Sequence, residues 1–197
     1  MNTLFPIYVK MDQIQTLLVG AGPVGLEKLQ AVFRNSPQAK VHIVAERVEA
    51  EVREFIAGKK TVTLSQRRFE ENDLENVDLV ILATNNTVLN DSIRRLTTAR
   101  HILLNVADKP DLCDFYLGSV VQKGNLKIGI STNGKSPTMA KRLKEFLNDI
   151  LPEEIDETLT LMQQMRDQLK GDFQQKIKAL NAHTEGLVRK QKTNQTT

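Results

Sequence analysis

Apolar residues fall along this chain in two alternating rhythms. Unbroken short runs, QTLLVG at 15–20, AKVHIVAE at 39–46, VDLVILAT at 77–84 and HILLNVA at 101–107, have the length and β-branched content of buried strands. Between them the spacing lengthens to three and four residues. Val24, Leu26, Leu29, Val32 and Phe33 mark one helix, with Pro23 in its first turn and Asn35-Ser36-Pro37 as its breaker. A helix over 47–57 stopping at Gly58, a strand VTLSQRR, and a helix over 87–99 continue the alternation. Strands alternating with helices predict an α/β fold with a parallel, doubly wound sheet joined by right-handed crossovers.

After Asp108 the rhythm changes. GSVVQ and LKIGIS flank Lys123-Gly124-Asn125 as the arms of a β-hairpin. Ser136 then caps a helix that has Pro137 at its first position and Leu143, Phe146, Leu147 and Ile150 along one side, and Pro152 ends it. Residues 153–188 read as helical, with Ile155, Leu159, Met162, Leu169, Phe173, Ile177 and Leu180 in one stripe and Gly171 as a point of division. An apolar stripe must be covered, either by its own domain or by a second subunit. The final residues, RKQKTNQTT, are expected to be disordered.

The junction of the first strand and first helix carries chemistry. Gly20-Ala21-Gly22-Pro23-Val24-Gly25 matches G-x-G-x-x-G in the context that gives the pattern meaning. Gly20 permits the tight turn, Gly22 lets the backbone approach a pyrophosphate, and Gly25 lets the helix press on the sheet. The helix N-terminus adds free N–H groups and a partial positive charge. This is a Rossmann-type dinucleotide-binding unit; the plainer alternative is a glycine-rich turn without a ligand. Glu46, at the end of the second strand, is the candidate acid for the adenosine ribose of NAD, whereas Arg47 beside it would accept the 2′-phosphate of NADP. Glu46 reads equally well as an exposed residue at a helix start. Thr84 and Asn85 follow a buried strand at the carboxyl edge and are placed to touch the nicotinamide side, with Asn90 one turn later to cap or pack.

Composition narrows the classes. Hydrophobic residues make up 40% and charged residues 26%, and no apolar run approaches a membrane span. The N-terminus MNTLFPIYVKMDQ lacks a basic segment followed by a long apolar one, so a cytoplasmic protein is expected. One cysteine, Cys113, excludes an internal disulfide framework and leaves no zinc-ligand spacing; by itself it reads as a small buried residue. His42, His101 and His183 are scattered, and no conventional metal-ligand cluster appears. The net charge of +3 says little, but Lys123, Lys127, Lys135, Lys141, Arg142 and Lys144 face one acid, Glu145, between Gly118 and Asn148. Such a stretch meets an anionic ligand or forms a solvated face. With aromatics at 5% and no recognition motif, nucleic acid is not an expected partner.

Two further segments stand out. Asn105-Val106-Ala107-Asp108-Lys109-Pro110-Asp111-Leu112-Cys113-Asp114-Phe115 follows a strand's carboxyl end, where the Asp108 carboxylate would face a nicotinamide; an Asp opening a turn before Lys-Pro is the bland alternative. Ser131-Thr132-Asn133-Gly134-Lys135-Ser136 leads into a helix as an anion-binding nest or merely as its cap. GAGPVGLEK, DLVILATNNTVLN, NVADKPDLCDF and IGISTNGKSPTMAKRLK together, in this order and spacing, resemble the precorrin-2 dehydrogenase and sirohydrochlorin ferrochelatase family, the N-terminal module of siroheme synthases, over about residues 4–151. Asn85-Asn86 stand where that family carries an acidic pair, and Gly118 where it commonly has Pro.

The resemblance implies a homodimer that oxidises precorrin-2 to sirohydrochlorin with NAD in siroheme biosynthesis, and that in some members also inserts Fe2+ as a substrate. It makes Asp108 the key aspartate and Ser131, Thr132, Asn133, Gly134, Lys135 and Ser136 the tetrapyrrole contact. The expected organisation is a Rossmann NAD-binding domain over 1–110, a hairpin and helix for dimerisation and tetrapyrrole binding over 111–151, a helical region over 152–188 and a tail over 189–197. At 197 residues no methyltransferase module is expected. On chemistry alone, oxidising a reduced tetrapyrrole needs a hydride acceptor held over one carbon and a carboxylate for a proton, and the basic stretch suits a substrate rich in carboxylates. Two rival readings keep the nucleotide and drop the tetrapyrrole: a non-catalytic NAD(H)-sensing module whose tail signals to a partner, and a dehydrogenase of another anionic substrate.

Overall fold

The computed structural model describes Asn2, residues 4–168, and Gln175, Ile177 and Lys178. The chain divides into two compact units, one formed by Met1–Gly118 with Thr132–Ser136, the other by Ser119–Ser131 with the chain from Pro137 on.

The first unit is an α/β layer structure. Strands β1 (Gln15–Ala21), β2 (Lys40–Val48), β3 (Val62–Ser65), β4 (Leu79–Leu82) and β5 (Leu103–Val106) pair in parallel in the order β3-β2-β1-β4-β5. Helices α1 (Pro23–Asn35), α2 (Ala50–Ile56) and α3 (Thr87–Ala99) connect them. Strand periodicity sorts the core into two clusters. Leu18, Ile43 and Ile81 point to the side packed with Leu29, Val32 and Phe33 of α1 and Val52 of α2. Leu17, Val19, Val80, Leu82 and Leu104 point to the other, with Ile93 of α3. A sheet covered on both faces explains why these strands read as continuous apolar runs. The strand order reverses between β1 and β4, so a crevice opens at their carboxyl ends.

The second unit contains the hairpin of β6 (Ser119–Lys123) and β7 (Leu126–Ile130), α4 (Pro137–Ile150) and α5 (Ile155–Gln168). Gly124 takes the turn at φ +53°, and the Asp156 carboxylate accepts hydrogen bonds from the Asn125 backbone N–H and side-chain amide at 2.7 and 2.9 Å. Lys123 pairs with Glu153 beside this turn. Val121 is fully buried and Ala140 nearly so, but Met139, Leu143, Phe146 and Ile150 form an exposed stripe along α4.

Three local expectations change. The second strand runs on to Val48, so the following helix begins at Ala50 and not at residue 47, and Glu46 lies within a strand. The cause is a register shift between Val19 and Ala21: Ala21 pairs with Val48, and the Glu49 N–H donates to the Ala21 carbonyl at 3.0 Å. The third strand stops at Ser65, and Arg67 turns away because Asp73 takes its guanidinium in two hydrogen bonds, at 2.9 and 2.5 Å. Short 3-10 turns occupy Glu71–Leu74 and Pro110–Leu112, where no element was expected. Leu169, Gly171, Phe173, Leu180, His183 and the tail lie outside the described residues.

Candidate functional site at the carboxyl edge of the sheet

The glycine loop divides its labour visibly. Gly20 has φ +103°, and a Cβ there would lie 2.4 Å from the Ala83 carbonyl oxygen of the neighbouring strand end. A Cβ on Gly25 would lie 2.4 Å from the Gly20 carbonyl oxygen. Both glycines therefore let backbone meet backbone at the turn from β1 into α1. Gly22 is different: nothing lies within 4 Å of where its Cβ would be. That open face adjoins the start of α1, where Pro23 lacks an N–H, no side chain caps the helix and no acid occupies the first turn. Uncapped N–H groups, a helix dipole and unfilled space fit the pyrophosphate of a dinucleotide.

Thr84 and Asn85, expected on the nicotinamide side, have separate fates. The Thr84 hydroxyl donates to Asn90 Oδ1 at 3.1 Å and accepts from the Asn86 N–H at 3.1 Å, while Asn90 Nδ2 donates to the Thr84 carbonyl at 3.0 Å. Asn90 is buried and serves as an internal clamp on the strand end; Asn86 is the cap of α3, accepting from the Leu89 N–H at 3.0 Å. Asn85 is exposed, and among the described residues no hydrogen bond engages its side chain, which leaves it available to a ligand.

Asp108 lies just past β5. The Ala107 N–H donates to the Leu82 carbonyl at 2.9 Å, tying this turn to the end of β4, and the Lys109 N–H returns to the Val106 carbonyl at 3.3 Å. Asp108 itself adopts φ +57°, a left-handed conformation that costs a non-glycine residue about 1 kcal/mol. Its carboxylate is exposed, and among the described residues no hydrogen bond or ion pair engages it. The turn is instead held from below by residues whose reach the sequence did not reveal. Cys113 Sγ accepts from the Val106 N–H at 3.2 Å and lies 3.3 Å from the carbonyl oxygens of Val106 and Lys109. Burial pushes the Cys113 thiol pKa up, against the Val106 N–H bond that lowers it, so this sulfur is a packed thiol and not a ready nucleophile. Asn105 Nδ2 donates to the Phe115 carbonyl at 2.8 Å, and the Asp114 carboxylate accepts from the Leu104 N–H at 3.0 Å and from Arg94 at 2.6 Å. That bond with Asp114 raises the Arg94 pKa further. Nothing but the close repetition of hydrogen-bonding side chains at 105, 113 and 114 could have signalled this arrangement.

At the other end of the crevice, Glu46 is exposed and its carboxylate meets Arg68 at 3.2 Å. Gln66 bridges the same region, donating to the Glu46 carbonyl at 3.4 Å and accepting from Arg53 at 2.5 Å. The sequence sets Glu46 and Arg47 as alternatives and gives no role to Arg68, because Arg67-Arg68 read as the end of a strand that in fact stops at Ser65.

The segment Thr132–Ser136 forms a small ring. The Ser136 N–H donates to the Thr132 hydroxyl at 3.2 Å, that hydroxyl lies 3.1 Å from the Ser136 carbonyl oxygen, and the Lys135 N–H donates to the Thr132 carbonyl at 3.1 Å. Asn133 and Gly134 both adopt left-handed conformations, at φ 54° and 73°. Successive N–H groups in such a turn form an anion-accepting concavity. Ser131, the remaining member of this predicted set, directly follows β7 and belongs to the second unit. Among the described residues no cluster of three or more His, Cys, Asp or Glu forms a metal site, and no helix is long and apolar enough to cross a membrane.

Comparison with known proteins decides the family. A putative NAD(P)-binding family matches residues 7–119, and the sirohaem biosynthesis protein central family matches residues 123–149. The chain belongs to this putative NAD(P)-binding family and carries the sirohaem biosynthesis central region behind it. Siroheme synthase of Baumannia cicadellinicola is 34% identical over 165 residues, which is 84% of this chain and 35% of that protein. Siroheme synthase of Psychrobacter arcticus is 32% identical over 180 residues, 91% of this chain and 31% of the relative. The chain thus spans about a third of the length of the curated relatives it matches. Among solved structures, SirC, precorrin-2 dehydrogenase, has the same fold, with TM-score 0.70 and 23% identity over 91% of this chain and 88% of SirC. The first unit is therefore an NAD(P)-binding domain.

Proposed function

We propose that the chain oxidises precorrin-2 to sirohydrochlorin with NAD, as a cytoplasmic homodimer in siroheme biosynthesis. The observation that carries this reading is the placement of two features on one edge of the sheet. The open Gly22 face follows β1, and the unengaged Asp108 carboxylate follows β5, tied to β4 through Ala107. Bound NAD supplies the hydride acceptor. The chain supplies position: the N–H groups at the start of α1 hold the pyrophosphate, Asn85 reaches the nicotinamide end, and Glu46 reaches the adenosine ribose. Asp108 accepts the proton released as the hydride leaves the substrate, a role that suits an exposed carboxylate with no internal partner. Its strained backbone supports the same assignment, because left-handed non-glycine residues persist where the surroundings enforce them, here through Cys113, Asn105 and Asp114.

Ser131, Thr132, Asn133, Gly134, Lys135 and Ser136 are assigned to the carboxylates of the tetrapyrrole, supported by the left-handed turn at Asn133 and Gly134 and by the excess of basic residues in the sequence from Lys123 to Lys144. The exposed stripe Met139, Leu143, Phe146 and Ile150 is assigned to the dimer contact. Insertion of Fe2+ into sirohydrochlorin is a second activity of the same site, in which Asp108 takes up pyrrole protons and the tetrapyrrole, not a protein ligand cluster, holds the metal.

An anaerobic assay with precorrin-2 tests the reading by following NADH formation and the sirohydrochlorin spectrum, with Fe2+ uptake monitored separately. Stoichiometric NADH and sirohydrochlorin are expected. Nucleotide binding without any tetrapyrrole oxidation would instead favour a sensing module.

A further inference from the structure

The adenosine end of the nucleotide crevice carries an inference that rests on the NAD(P)-binding reading and sharpens its specificity. Parallel pairing sets Val44 of β2 opposite Ser65 of β3, so residues 66–68 leave the sheet beside Glu46 and Arg47. On the other side, Ala21 of the glycine loop pairs with Val48 and its carbonyl accepts the Glu49 N–H. The carboxyl end of β2 is thus held against the glycine loop, where a Rossmann unit reads the adenosine ribose.

An acid that discriminates for NAD works by accepting both ribose hydroxyls and repelling a 2′-phosphate. Glu46 does not stand alone there. Its carboxylate is engaged by Arg68 Nε at 3.2 Å, and Arg68 remains largely exposed, at 83% of its side chain, so the rest of its guanidinium is free to meet a ligand. Arg47 is exposed next to it, and among the described residues no hydrogen bond or ion pair occupies it. Arg67, by contrast, is consumed by Asp73, and Arg53 by Gln66. Two arginines with spare donors flank a carboxylate whose negative charge one of them already offsets.

We propose that Arg68, with Arg47, relaxes cofactor selection at Glu46, so that the chain accepts NADP(H) as well as NAD(H). Arg68 is the residue that determines this: it swings from the Glu46 carboxylate to a 2′-phosphate when one is present, and guanidinium groups meet phosphate with paired, charge-assisted hydrogen bonds. With NAD(H) bound, Arg68 stays on Glu46 and leaves the second carboxylate oxygen to the ribose.

Calorimetric titration of the full chain with NAD+ and with NADP+, without substrate, tests this. The wild type is expected to bind NADP+ within about tenfold of NAD+, and Arg68→Ala to weaken NADP+ by about tenfold or more while NAD+ changes by less than about threefold. Raising salt should weaken NADP+ more than NAD+ in the wild type, and this difference should shrink in Arg68→Ala. Glu46→Gln should shift the ratio toward NADP+. Exclusion of NADP+ by more than about a hundredfold, or an NADP+/NAD+ ratio unchanged by Arg68→Ala, would overturn the proposal and leave the NAD reading intact. Failure of the wild type to bind either nucleotide would overturn both. Because Arg68 is exposed, the variant's thermal unfolding should match the wild type.

Discussion

The two compact units solve the problem of burial in opposite ways. In the first, every strand of the parallel sheet contributes to one of two apolar clusters, and α1, α2 and α3 cover both faces. In the second, Val121 and Ala140 are the buried hydrophobic residues among those described, while α4 turns Met139, Leu143, Phe146 and Ile150 outward at helical spacing. A domain with its own core can hold strained, close-packed loops at its edge. A hairpin with two helices and an exposed apolar stripe completes its burial only against another surface. The close-packed glycine loop therefore belongs to the self-sufficient unit, and the assembly role is proposed for the other.

The sharpest way to break this contrast is through the glycines. Gly25→Ala forces a Cβ to 2.4 Å from the Gly20 carbonyl, and the first unit should lose about 3 kcal/mol or more, seen as a large drop in its denaturation midpoint. Gly22→Ala meets open space at φ −89°, so stability should stay within about 0.5 kcal/mol while the nucleotide binds about tenfold more weakly. Equal loss of stability in the two variants would show that Gly22 is structural as well.

Next in size is Asp108→Asn. Asn tolerates the left-handed backbone, so the fold and nucleotide affinity should persist while tetrapyrrole oxidation falls about a hundredfold. Undiminished turnover would remove Asp108 from the reaction. For the second unit, the double change Leu143→Glu and Phe146→Glu should convert the proposed dimer to monomer in sedimentation, with the unfolding of the NAD(P)-binding domain unaffected; a wild type that sediments as a monomer, or a dimer that survives the change, would remove the contact from this stripe.

The smallest effect concerns His42, whose Nδ1 lies 2.6 Å from the Thr63 hydroxyl. Burial lowers its pKa, more than the Asp73 charge raises it, and the Arg67 charge lowers it further. The unfolded chain thus binds the proton more readily than the folded one. The neutral ring's contribution to stability is complete above pH about 6.5 and is lost as pH falls from there through the folded pKa. His42→Gln should flatten the stability profile in that window, measured by urea unfolding from pH about 7 to about 5; an unchanged slope would assign it to other groups. Asp73 acts lower on the scale. Burial raises its pKa, but the hydrogen bonds from Arg67 and the Glu70 N–H and the charges of Arg67 and His42 outweigh burial and hold it below the usual value.

Much of the architecture was legible because its causes are local. The apolar runs at 15–20 and 77–84 are long enough only for buried strands, Pro23 marks a helix start, and Lys123-Gly124-Asn125 can do little but turn. The errors sit where distant strands act on one another. Pairing of Ala21 with Val48 lengthened β2 past its apolar run, and Asp73 drew Arg67 out of β3. Of the candidate site, the glycine loop could be read residue by residue. The clamp of Asn90 on Thr84 could not, and the partner of Glu46 came from 22 residues away.

What the sequence by itself determined was the set of elements and the glycine-rich turn from β1 into α1, since steric limits on glycine and proline and the period of apolar residues act within a few positions. Only the tertiary structure decided that Asp108 sits in a left-handed turn clipped by Cys113, that Gly22 alone of the three motif glycines faces open space, and that Arg68 guards Glu46. Those facts depend on strand register and helix docking, which bring together groups that neighbouring residues do not constrain.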